Sequence, residues 1–365
     1  MREIYVKHML SEFNSRKGWA CQTLTLGSAT FGWSGWQNMK LRVVDNLMFA
    51  LDGTFFDQGK SYGIDSDLQA FSESYRAKGL EETLLQLNGD FAIAVYEMER
   101  GSLHLARDRF GIKPLYYALP EKTLAFASQP GSLLKAPGVS REVNSKFVGV
   151  YAGCHYRYFD NDISSSPFSD IKQLPGSHFI SFTRKGTNSK KYWSLEEAPD
   201  FSTSEEQLAA EYRELLIDSV SIRLEKSTRP IFTLSGGMDS SSILGTAVSI
   251  LQSPQNAVSA TYSDETYDES EDIKSILDTH VSRWHAVGVD APDLFSVLQE
   301  MIAVHHEPVA TATWLSHYLL SKFVFKSGFQ SVFGGLGGDE LNAGEYESVS
   351  YTHLRAHETR HDLVC

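Results

Sequence analysis

Cysteine is scarce: Cys21, Cys154 and Cys365 are an odd number at wide spacing in 365 residues, which supports neither a disulfide framework nor a paired-cysteine metal site. No run approaches the ~20 apolar residues of a membrane span, and Met1 to Leu10 lacks the apolar centre of a secretory signal. Long Lys/Arg blocks are also missing and the formal charge is -13, so nucleic acid finds no counterion-releasing surface. These absences predict a cytoplasmic protein of a reducing compartment, with no nucleic-acid or membrane partner. What is present is 42% hydrophobic content over a length suited to about two domains.

Residues 1–195 carry short β-type runs, at Leu47 to Leu51, Phe91 to Tyr96, Leu103 to Ala106, Leu115 to Ala118, Leu124 to Ala127 and His178 to Phe182. Turn residues separate them. Gly63 to Gly79 reads as a helix, with Leu68, Phe71 and Tyr75 on one face and Gly79 as a stop. A polar stretch between 195 and 205 marks a boundary, and Ser202-x-x-Glu205 or Thr203-x-x-Glu206 offers a capping box for the next helix. Leu208, Tyr212, Leu215, Leu216 and Val220 trace one face of that helix.

From Pro230 strands and helices alternate. Strands are expected at Ile231 to Leu234, Ala257 to Tyr262, His285 to Val289 and Ser331 to Phe333, and helices from Ser240, from Glu269, near Pro292 to Val304 and at Thr313 to Lys326. That pattern predicts a doubly wound parallel α/β sheet, whose ligands bind beyond the carboxyl ends of the strands.

Two glycine-rich loops fall at such ends. Ser235-Gly236-Gly237-Met238-Asp239-Ser240-Ser241 follows a short apolar strand and opens a helix; it lacks the lysine of the kinase-type loop and is shorter. Ser235, Ser240 and the backbone amides can hold the β,γ-pyrophosphate of ATP, while Asp239 can bind Mg²⁺. An ordinary Gly-Gly turn capped by Asp239 and Ser240 is the plainer alternative.

The first loop resembles the pyrophosphate motif of N-type ATP pyrophosphatases, and Gly334 to Gly344 (GGLGGDELNAG) is similar to the second signature of the asparagine synthetase family. That resemblance implies that the two loops meet at one ATP site. It makes Asp239 and Asp339 the catalytic, Mg²⁺-binding carboxylates, with Ser235, Gly236, Gly237, Ser240 and Ser241 on pyrophosphate, Leu234 against the adenosine part, and Gly334 and Gly335 lining the nucleotide. In the N-terminal half, Asn88 to Tyr96, Ala106 to Tyr117 and Phe126 to Leu134 resemble class II glutamine amidotransferase domains. The resemblance runs from about residue 45 to 346. It implies an N-terminal Ntn-type glutaminase-like α/β sandwich over 1–195, followed by an ATP-pyrophosphatase (HUP-like) domain over 205–346. Residues 347–365 form a tail that does not continue the family's helical region. Part of the acceptor site, including a lysine at the reaction centre, is therefore expected to be missing.

Departures from the family pattern shape the functional expectation. A working class II glutaminase uses an N-terminal cysteine whose α-amine serves as base; here position 2 is Arg2, and Cys21 lies inside the chain. The family's Asn-Gly oxyanion element is Asp52-Gly53, a carboxylate that repels a developing oxyanion. Asp67 matches the residue that grips a glutamine α-amino group, yet it equally suits a helix start. Leu336 stands where glutamine-dependent asparagine synthetases carry Glu, and a leucine moves no proton.

The Asp264 to Asp272 acidic cluster resembles the family's Tyr-Asp-Glu segment, here Tyr267 to Glu269, and reads equally as helix-start charge. The expectation is an ATP-dependent amide-forming ligase with impaired glutamine hydrolysis. It acts on a small amino-acid or carboxylate substrate, takes nitrogen from ammonia or an amine, and is compatible with a homodimer. A β-lactam synthetase-like or peptide-cyclising homologue and a non-catalytic nucleotide-binding remnant are the alternatives.

Overall fold

A computed structural model of the chain describes residues 2–13, 19–35, 41–56, 64–120, 123–153, 162–196, 198, 202–264, 268–290, 293–309, 311–338 and 341. The chain divides into two compact units: Met1–Ala198 with Ile302–Pro308, and Pro199–Met301 with Val309–Cys365. The return of Ile302–Pro308 to the first unit has no compositional signal.

In the first unit, six antiparallel strands among the described residues run in the order Gly186–Lys191, His178–Thr183, Ser102–Arg107, Gly89–Glu97, Leu47–Phe55 and Leu41–Val44. Successive side chains of a strand point to opposite faces, and here both faces are covered. Phe49, Leu51, Phe91, Ile93 and Val95 pack against Leu68, Phe71 and Leu84 of the helices Ile64–Lys78 and Leu80–Gln86. Met48, Ala92, Ala94 and Tyr96 face Phe31 of the hairpin Ala20–Leu26/Ala29–Gly35, together with Leu115, Phe126 and Leu174 from around a three-stranded sheet. Two-sided burial explains why these strands read as near-continuous apolar runs.

The segment that resembles amidotransferases is a structural knot. Asp108, 1% exposed, accepts backbone N–H bonds from Phe91, Phe110, Ile112 and Lys113, while Arg107 donates to the carbonyls of Lys113 and Leu174. Tyr192 closes it with a 2.7 Å bond from its hydroxyl to the Arg107 carbonyl. Ile302–Pro308 is held by Tyr116 Oη donating to Glu307 (2.8 Å) and by His306 on Glu12 (3.0 Å), which also pairs with Lys135 (2.7 Å).

The second unit is a parallel sheet in the spatial order Val281–Gly288, Gln255–Thr261, Pro230–Thr233, Ser331–Phe333. In chain order that is third, second, first, fourth, so the winding reverses between Pro230–Thr233 and Ser331–Phe333. Phe232, Leu234, Ala257 and Ile273 pack with Val220 and Leu244 on one face, and Ile231 and Val258 pack with Val324 on the other. Apolar burial on both faces of short parallel strands is what a doubly wound sheet requires.

Three expectations about this unit are corrected. The helix Glu205–Glu225 is capped by Ser204, whose hydroxyl accepts from Gln207 N–H, rather than by Ser202 or Thr203. On that helix Val220 is buried, whereas Leu208, Tyr212 and Leu215 are exposed. The helix expected from Glu269 starts at Lys274. Before it, Asp268 accepts from Tyr262 and Ser270 N–H, and the Glu269 carbonyl accepts from Asp272 and Ile273 N–H, which makes 268–273 a turn.

Candidate active site

A doubly wound sheet opens a crevice where the winding reverses, because the two connections leave in opposite directions. The two glycine-rich loops emerge on either side of that point, one after Thr233 and one after Phe333. The helix Met238–Leu251 begins there with Gly237 as N-cap and no side-chain cap bond. The first N–H groups of a helix have no intrahelical acceptor, so the Met238, Asp239 and Ser240 amides face out as donors at the positive end of the helix dipole.

The second loop lies against these amides. A Cβ on Gly335 would stand 2.6 Å from Ser240 N and 2.7 Å from Asp239 Cβ, and one on Gly338 would stand 2.2 Å from Asp239 Cγ. Contacts that close admit only glycine, so the two loops converge on Asp239 through positions where any side chain would fill the space. Asp239 is half-buried between them. Gly338 N–H donates to the Gly335 carbonyl (3.0 Å), which fixes the turn. Asp339, the second expected carboxylate, lies outside the described residues, as does the 347–365 tail.

Inside the first loop the serines divide their work. Ser240, 6% exposed, accepts from Ser235 N–H (3.0 Å) and shares a bond with Ser235 Oγ (2.9 Å). Ser241 Oγ donates to the Gly237 carbonyl (2.9 Å). Both hydroxyls therefore brace the loop, as does the exposed Ser235, whose Oγ also accepts from Gly237 N–H (3.3 Å). Gly236 N–H donates to a Glu269 carboxylate oxygen (2.9 Å), a contact that local sequence does not announce.

Leu234, expected against adenosine, is turned into the core at 3% exposure. Its N–H bonds the Val258 carbonyl (2.9 Å) and its carbonyl accepts from Ser259 Oγ (2.6 Å), so neither its side chain nor its backbone is available. Gly334 is exposed, and a Cβ there would meet Thr233 Oγ1 at 2.5 Å. Leu336 projects from the second loop at 82% exposure.

The residues singled out in the first unit are engaged with their own fold. Asp52, on the strand Leu47–Phe55, pairs with Lys113 (3.6 Å) and accepts from Ser128 (3.3 Å). Asp67 sits in the first turn of Ile64–Lys78, Cys21 Sγ bonds Ser34 Oγ across a hairpin (3.2 Å), and Arg2 opens a helix. Among the described residues no group of three or more His, Cys, Asp or Glu side chains could hold a metal ion. No helix among them is long and apolar enough to cross a membrane.

Fold and loops together define a doubly wound α/β unit with an uncapped helix start at its switch point, in one chain with an α/β sandwich. Family comparisons extend this. Residues 50–193 match the glutamine amidotransferase domain and residues 211–362 match asparagine synthase, the latter match running through most of the tail. The chain is 26% identical to asparagine synthetase [glutamine-hydrolyzing] 3 of Bacillus subtilis (strain 168) over 69% of its own length and 42% of that protein. It is 28% identical to amidase chyE of Penicillium rubens over 76% and 43% of the two chains. With asparagine synthetase [glutamine-hydrolyzing] 2 of B. subtilis the identity is 32% over 49% and 25%. The chain belongs to the asparagine synthetase family, and it spans under half the length of these relatives.

Proposed function

We propose that this chain carries the nucleotide-activating part of an ATP-dependent amide-forming ligase. The observation that supports it most is the crevice itself: three unpaired helix-start amides, roofed by Gly335 and Gly338 and flanked by Asp239. In this reading the Met238, Asp239 and Ser240 amides and Ser235 bind the β,γ-pyrophosphate of ATP, and the helix dipole stabilises the charge that gathers there as pyrophosphate leaves. A substrate carboxylate oxygen bonds to the α-phosphorus as the bond to the bridging oxygen breaks, giving acyl-adenylate and pyrophosphate; nitrogen then bonds the acyl carbon and AMP departs.

In this reading Mg²⁺ would be held by Asp239, a half-buried carboxylate beside the amides, and by Asp339, which follows Gly338 in sequence. Bound there, the ion would offset phosphate charge. Asp239 thus has two duties, holding the ion and starting the helix whose amides take the anion.

Glutamine is not the favoured nitrogen source. Asp52 would set an acceptor at the position that the family resemblance gives to an oxyanion donor. A second reading, in which the amine belongs to the substrate as in β-lactam synthetase-like or peptide-cyclising enzymes, is favoured by Leu336 in the second loop. It is also compatible with the amidase-named relatives from P. rubens and Gibberella zeae.

ATP–pyrophosphate exchange tests the proposal. Exchange driven by aspartate supports the first reading, and exchange driven only by larger amino acids or peptides supports the second. ATP binding without exchange under any carboxylate would reject a ligase role, and glutamate release from glutamine would reject the impaired glutaminase.

A further inference from the structure

The Glu269 carboxylate lies where an anionic ligand would be expected. The Gly236 amide follows Ser235 in the first glycine-rich loop, and Glu269 Oε2 accepts from it at 2.9 Å. The contact is presented by a well-anchored turn. Ile273 is buried in the core at 1% exposure, and Asp268 grips Tyr262 N–H (2.9 Å) at the end of the strand Gln255–Thr261. Hydrogen bonding from Ser270, then from the Tyr262 amide, holds the Asp268 carboxyl below its usual range. The Glu269 carbonyl takes the Asp272 and Ile273 amides, which leaves its side chain to reach the loop. Asp272 stands on the same side: a Cβ on Gly236 would meet Asp272 Cβ at 3.0 Å. The loop is thus faced by two carboxylates and donates one amide to one of them.

We propose that Glu269 is a specificity-determining residue of this site: its carboxylate occupies the Gly236 amide in competition with pyrophosphate, and so selects the metal-complexed anion over the bare one. The inference rests on the nucleotide reading above. A bare pyrophosphate must displace one negative group from the amide while approaching a second, whereas a bound divalent cation neutralises part of that repulsion. The same competition works in reverse after reaction, since Glu269 retakes the amide as pyrophosphate leaves.

The test uses inorganic pyrophosphate as probe, titrated calorimetrically into the full chain with and without Mg²⁺. Glu269→Gln keeps the size and a neutral acceptor; Glu269→Ala removes the competitor altogether. Both variants are expected to bind metal-free pyrophosphate about tenfold more tightly than the parent, the scale on which charge-assisted bonds exceed neutral ones, with the gap narrowing when Mg²⁺ is present. Melting temperatures separate this from a folding effect. Equal affinity of parent and both variants for metal-free pyrophosphate, with binding intact in Mg²⁺, overturns the role of Glu269 alone. Failure of all three proteins to bind pyrophosphate in either condition overturns the nucleotide reading and the inference with it.

Discussion

The two units differ in how the groups singled out for chemistry are partnered. In the second unit the Met238, Asp239 and Ser240 amides sit at an uncapped helix start, and the neighbouring loop packs against them through glycines at 335 and 338. In the first unit Asp52 is tied to Lys113 and Ser128, Cys21 to Ser34, and Asp67 to the first turn of its helix. Burying or confining unpaired polar groups costs free energy, so a fold keeps them where something else is to bind. The helix-start amides thus lack a cap partner while Asp52 and Cys21 are engaged with their own fold, although the first unit also keeps Gln129 Oε1 and Ser132 Oγ buried without a partner.

The sharpest way to break this comparison is Gly335→Ala. The added methyl would press on Ser240 N and Asp239 Cβ, covering the amides and displacing the loop. ATP–pyrophosphate exchange is expected to fall by at least about 100-fold, comparable to losing an oxyanion-type donor. A variant with unchanged exchange would show that the amides are not the binding surface. Asp239→Asn is expected next in size, roughly 100-fold in Mg²⁺-dependent exchange with little change in melting temperature. It sharpens the contrast because the residue it alters is a ligand candidate rather than a brace.

Much of this was legible. Near-continuous apolar runs at Leu47 to Leu51 and Phe91 to Tyr96 reported strands buried on both faces, and the short apolar run before Ser235 reported a buried parallel strand, since both are local patterns set by burial. The glycines of both loops marked the crevice. What was not legible depends on contacts distant in sequence. Glu269 meets Gly236 33 residues away, Ile302–Pro308 joins the first unit through partners at 12 and 116, and Leu234 is claimed by Val258 and Ser259. The Ser240 and Ser241 hydroxyls were misread for the opposite reason. Their bonds are local, but residue type cannot say whether a helix-start serine braces its own loop or reaches a ligand.

A smaller effect probes the first unit's own cost. Glu307 is mostly buried beside Tyr116, and burial, partly opposed by the Tyr116 bond, raises its carboxyl above the ordinary value of 4.5. A raised folded-state value means that the contribution of this group is fully present below the unfolded value and is lost as pH climbs through the folded one. Unfolding scans from pH 4 upward should therefore show a decline that Glu307→Gln flattens, with the variant melting about 2–4 °C higher at pH 8. A variant that melts lower across the range would show that the Tyr116–Glu307 bond outweighs the burial penalty.

The smallest expected effect is none, and it tests the comparison most directly. Asp52→Asn restores the amide that an oxyanion site requires, yet Cys21 remains inside the chain on its hairpin, without a free amine. Because the Asp52–Lys113 pair is about half exposed, its loss should cost at most about 1 kcal/mol. Glutamate release from glutamine should stay at the rate measured without protein, in parent and variant alike. Release that appears with Asn at 52 would mean that a nucleophile is present and only the oxyanion donor had been withdrawn. The first unit would then be a switched-off glutaminase, one substitution from activity, and the contrast between the two units would be one of degree.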